Sequence, residues 1–138
     1  MSYPSNRPTH KELRKKLAQA IQALDAGQYV IVDRERHFLP DMDSLESLDQ
    51  AEHFTQIRTF LQEIQEAGGP ECYVGKRPPY FSYHPGYENV ELFAFVWQSP
   101  STSKDLYLKF GICLNGDALP PTYVYLNCHE DEPSKKNR

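Results

Sequence analysis

The period of the apolar positions changes halfway along the chain. Leu13, Leu17, Ile21 and Leu24 recur at helical spacing, with Lys11, Arg14, Lys15 and Gln22 on the opposite face. Thr9 followed by Glu12 is a capping box, and Gly27 supplies the stop, so a helix is predicted over about residues 10–26. Phe54, Ile57, Leu61 and Ile64, with Phe60 beside them, form a second stripe over about residues 51–67, ended by Gly68-Gly69-Pro70. Between the two lie a short β-like run, Tyr29 to Val32, a loop or strand end from Asp33 to Pro40, and an acidic stretch from Asp41 to Asp49 that suits a helical turn.

From Val90 onward the period is that of strands. Val90 to Trp97 is almost wholly apolar. Asp105 to Leu114 alternates, with Leu106, Leu108, Phe110, Ile112 and Leu114 on one face and Tyr107, Lys109, Gly111 and Cys113 on the other. Thr122 to His129 is the last strand, with Tyr123, Tyr125, Asn127 and His129 predicted on one face and Val124, Leu126 and Cys128 on the core side. Short turns at Ser99–Lys104 and around Asn115-Gly116 and Pro120-Pro121 favour an antiparallel meander. The expected fold is α+β: one domain over 1–138, ordered from about 9 to 130, with two helices on one face of a three- or four-stranded antiparallel sheet. The segment 75–89, GKRPPYFSYHPGYEN, breaks this regularity as an aromatic, partly basic loop.

Composition narrows the function classes. The net charge of −4 argues against broad, charge-driven nucleic-acid binding and leaves room only for a local basic site. Three cysteines, Cys72, Cys113 and Cys128, have no metal-type spacing and suit reduced thiols. The five histidines include no i, i+4 pair, so no zinc site is expected, and no cofactor motif is present. Charged residues near the start and strand-sized apolar runs point to a cytoplasmic chain without membrane contact.

Candidate chemistry follows from the alternation. If Leu106 and its partners face the helices, Tyr107 and Lys109 point outward together, and Tyr125, Asn127 and His129 are expected beside them. Lys76 and Arg77, with Tyr80, Tyr83 and His84, come from the 75–89 loop. Such a face suits single-stranded RNA, with cations on phosphates and aromatic rings on splayed bases. It also suits cleavage without metal, in which one group takes the 2′-hydroxyl proton, another protonates the departing 5′ oxygen, and a cation steadies the phosphorane. A plain solvated sheet face uses the same residue types.

The order of elements, with Ala26-Gly27-Gln28, Tyr73-Val74-Gly75-Lys76, Leu106-Tyr107-Leu108-Lys109 and Asn127-Cys128-His129, resembles the MqsR-like branch of RelE-type toxins. The resemblance implies a metal-independent mRNA endoribonuclease, acting on free RNA or on the ribosome, partnered by an antitoxin protein. It also implies that Tyr107 and Lys109 fall on the family's catalytic Tyr-x-Lys strand and His129 on its terminal basic residue. Lys76 falls on the lysine after the second helix, and Glu91 on a polar residue of the first hairpin strand. The reading from another class is a non-catalytic protein-binding module using the Tyr-rich face and the 75–89 loop.

Overall fold

The computed structural model describes residues 7–31, 50–82, 86–115 and 119–130; at 31, 50–53, 125–127 and 129 it describes the backbone alone. The acidic stretch 41–49, the loop 33–40, Tyr83, His84 and the tail from 131 lie outside the described residues. Among those described there are two α-helices, a 3-10 turn and four strands. In chain order they are α1 (His10–Asp25), β1 (Tyr29–Ile31), α2 (Gln50–Glu66), the turn Gly69–Cys72, β2 (Leu92–Ser99), β3 (Lys104–Cys113) and β4 (Thr122–Glu130).

The capping box at the start of α1 is formed. Thr9 Oγ1 accepts from the Glu12 amide at 3.1 Å, and Glu12 Oε1 accepts from the Thr9 amide at 3.2 Å. The buried stripe is Leu13, Leu17, Ala20 and Ala23, with Ile21 and Leu24 packed at its margin. Two alanines let α1 approach its neighbours more closely than a stripe of larger side chains would. Gly27, at φ +73°, takes the left-handed conformation that ends the helix. On α2, Phe54, Ile57, Phe60, Leu61 and Ile64 are buried as one stripe.

The sheet has the order β1-β4-β3-β2. β2–β3 and β3–β4 are antiparallel hairpin neighbours, as short connections dictate. β1 runs parallel to β4, Tyr29 opposite Tyr123 and Ile31 opposite Tyr125, where the sequence predicts antiparallel pairing throughout. A long crossover separates these two strands, and a long connection permits the parallel pairing that a hairpin forbids. Leu106, Leu108, Phe110 and Ile112 are buried with Phe93, Phe95 and Trp97 of β2 in one cluster with the stripes of both helices.

The nearly continuous apolar run of β2 has a second cause. Leu92 and Ala94, on the face away from the helices, are buried as well. The segment 73–82 lies along the free edge of β2. The Val74 amide donates to the Ala94 carbonyl (2.9 Å), the Leu92 amide to that of Tyr80 (2.8 Å), and the Ser82 amide to that of Val90 (2.8 Å). What reads as a broken loop thus caps an exposed sheet edge without becoming a regular strand. Its other anchor is the N-terminal segment. Arg77 Nη1 donates to the Pro8 carbonyl at 2.6 Å, and Arg7 bonds both Glu12 (2.7 Å) and Glu91 (2.8 Å). No described helix is long and apolar enough to cross a membrane.

Candidate functional site

The site rests on the face of the sheet that the helices leave open. Along β3 the alternation holds: Leu106 and Leu108 are fully buried, while Tyr107 and Lys109 are half-buried on the other side. Their Cα atoms are separated by roughly 6–7 Å, the two-residue repeat of a strand. Across β3–β4, Tyr107 stands opposite His129 and Lys109 opposite Asn127. On the β2 side the partners are Val96 and Ala94.

One expectation about β4 is corrected by the register. Lys109 pairs with Asn127, yet Phe110 pairs with Tyr125, so Leu126 is an extra residue in a β-bulge. A one-residue shift exchanges faces. Tyr123 is therefore fully buried on the helix side, stacked on Phe110 (ring centroids 5.2 Å, planes 19° apart) and edge-on to Phe54 (6.0 Å, 81°). Val124 is buried on the opposite side with Leu92. Tyr125 stands opposite Phe110, outside the row of Tyr107 and Lys109, whereas Asn127 and His129 keep their register in that row.

Between the 73–82 segment and β3 lies a cleft of about 150 Å³. Leu92 and Ala94 floor it, Tyr107 and Lys109 form one wall, and Val74, Lys76 and Tyr80 form the other. Lys76 is exposed, its Nζ 5.7 Å from the centre of the Tyr80 ring. No aspartate or glutamate lines this cleft among the described residues. The Lys76 turn is held from beneath: the Tyr73 hydroxyl donates to the Lys76 carbonyl, and burial pushes that phenol up to about 12. Gly75 is needed in that turn, because a Cβ there would lie 2.6 Å from the Tyr73 hydroxyl oxygen.

The other candidates sit elsewhere. Arg77 lies over the Tyr73 ring at 4.9 Å and bonds Pro8, so it ties down the segment and does not line the cleft. Glu91 is engaged by Arg7 through two hydrogen bonds, at 2.8 and 3.0 Å. Among the described residues no group of three or more His, Cys, Asp or Glu is arranged to hold a metal ion. The Cys128 thiol is buried in the core, and burial pushes its pKa up.

One candidate named from the sequence owes its place to the fold, and one feature, Glu63, escapes a reading of the sequence alone. Tyr80, one of several aromatics in its loop, reaches the cleft only because the segment pairs with β2. Glu63 is a carboxylate buried between α2 and β2, accepting from Trp97 Nε1 (3.0 Å), Ser99 Oγ (2.6 Å) and the Ser101 amide (3.2 Å). Burial would raise its pKa, but the bonds from Ser101, Ser99 and Trp97 outweigh that and hold the carboxyl below its ordinary value. Its signal in the sequence is a lone Glu between Leu61 and Ile64 in an apolar stripe.

Comparison with protein-family models, with curated proteins and with solved structures finds no match to this chain.

Proposed function

We propose that this protein is an endoribonuclease that cleaves single-stranded RNA without a metal ion, in the manner of the RelE-type toxins its sequence motifs resemble. The observation that supports it is the cross-strand row: Tyr107 opposite His129 and Lys109 opposite Asn127, with Lys76 and Tyr80 across the adjoining cleft. In this reading the ribose 2′ oxygen attacks phosphorus as its proton leaves, the bond from phosphorus to the 5′ oxygen breaks, and that oxygen takes up a proton. His129 transfers one proton, Tyr107 orients the 2′ oxygen or transfers the other, and Lys109 faces the charged phosphorane. A local pair of lysines must hold the RNA against a net charge of −4.

Purified protein should cut single-stranded RNA in EDTA and leave 2′,3′-cyclic phosphate ends. A 2′-deoxy substitution at the cut should block the reaction. His129→Ala should lower the rate by about 10²-fold or more, with an unchanged melt. If RNA stays intact both free and on ribosomes, and expression arrests no growth, the nuclease reading is wrong. A second reading, a protein-binding module, is favoured by one observation: Val74, Tyr80 and Phe81 are 41%, 62% and 59% exposed beside the cleft. In the first reading an antitoxin is the expected partner; in the second the partner is a protein of another kind.

A further inference from the structure

We infer that the cleft over β2 is a base-reading pocket that prefers a keto base, guanine or uracil, next to the scissile phosphate. This rests on the RNA reading above and adds the identity of the base. The geometry of the sheet supplies the separation. The proton-transfer row lies over β3 and β4, and the cleft lies over β2, one strand away at about 4.8 Å. A nucleotide with its phosphate over Tyr107 and Lys109 can place its base in the cleft. The floor of Leu92 and Ala94 is apolar and the Tyr80 ring is 62% exposed, which suits the face of a base.

The edge of the base meets a different surface. Lys76, on the wall away from the phosphate, offers donors only, since an ammonium has no acceptor lone pair. Three carbonyls along this lining each already accept a hydrogen bond. That of Ala94 accepts from Val74, that of Tyr80 from Leu92, and that of Lys76 from the Tyr73 hydroxyl. Guanine presents O6 and N7 as acceptors and uracil presents O4, which match this set of donors. The amino groups of adenine and cytosine present donors to an ammonium and are left to the weaker acceptors, such as the Tyr80 and Tyr107 hydroxyls, since no carboxylate lines the cleft among the described residues.

Binding tests the inference independently of cleavage. Four dye-labelled single-stranded oligonucleotides, built on 2′-deoxyribose and abasic except for one central guanine, uracil, adenine or cytosine, are titrated with the full chain at low salt. The expected result is roughly tenfold or more tighter binding of guanine and uracil. Lys76→Met should abolish the difference, and Lys76→Gln, whose carbonyl accepts, should shift it toward adenine and cytosine. Equal affinities, no binding, or a keto preference that survives Lys76→Met would each overturn the inference. A keto preference lost in Lys76→Met, in a protein that cuts no RNA, removes the nuclease reading and leaves the pocket standing.

Discussion

Replacing Glu63 by Gln changes two atoms in the interface between α2 and β2 and should reveal how the sheet is held to that helix. In the native chain Oε1 accepts from Trp97 and Ser99 and Oε2 accepts from the Ser101 amide. A carboxamide keeps one oxygen, so its amino group must face either the Ser101 amide or the Trp97 and Ser99 donors. The first choice loses one bond and reduces the other two from charge-assisted to neutral. Together these changes should cost about 2–4 kcal/mol at pH 7. The pH dependence follows from the lowered Glu63 pKa. A carboxyl depressed in the folded state stabilises the fold fully above its unfolded value, about 4.3, and the contribution is lost as pH falls through the folded value. The gap between wild type and Glu63→Gln should therefore be widest near neutrality and shrink below about pH 4. Urea unfolding from pH 7 to pH 3 measures it. A gap that stays constant across that range, or one below about 0.5 kcal/mol at pH 7, refutes the assignment of an ionised, hydrogen-bonded carboxylate.

Two further substitutions separate the faces of the sheet and the support of the cleft. Leu108→Ala should cost about 2–5 kcal/mol by leaving a cavity under both helices, while Lys109→Ala on the open face should cost about 0.5 kcal/mol; a thermal melt in which Lys109→Ala is the more damaging would make Lys109 a structural residue. Gly75→Ala should cost about 1–3 kcal/mol, since its Cβ would press on the buried Tyr73 ring, and, under the proposed RNA reading, should weaken RNA binding by displacing Lys76. Unchanged stability together with unchanged binding would show that the turn is not held as described.

Regular alternation was the most legible part of the chain. Residues 106–112 announce their buried and open faces because the strand period is two and one face meets the helices. The capping box and both helix stripes are equally local signals. Three things depend on distant partners and were not legible. The pairing of β1 alongside β4 depends on where a long crossover returns the chain. The apolar outer face of β2 reflects its cover by residues 73–82, which carry no strand pattern of their own. The separation of Arg77 from Lys76 depends on the carbonyl of Pro8, 69 residues earlier. Adjacent basic residues look equivalent in sequence, and only the fold gives one to the cleft and the other to an anchor.

The bulge in β4 explains how one strand serves both a core and an open polar row. Tyr123 and Cys128 are both fully buried among the helix-side residues. They are an odd number of positions apart, so no unbroken strand can put both on one side, and one extra residue is the smallest correction. The same parity holds on the other face. Val124 packs with Leu92, while Asn127, three residues on, stands in register with Lys109. Upstream of Leu126 the strand offers its largest ring to the stack with Phe110 and seals the outer face with Val124. Downstream it runs beside Tyr107 and Lys109. Moving the extra residue toward His129 would take Asn127 out of that row; removing it would expose Tyr123 or Cys128. The place of the bulge, and not the composition of the strand, sets where the apolar half of the outer face ends and the candidate site begins.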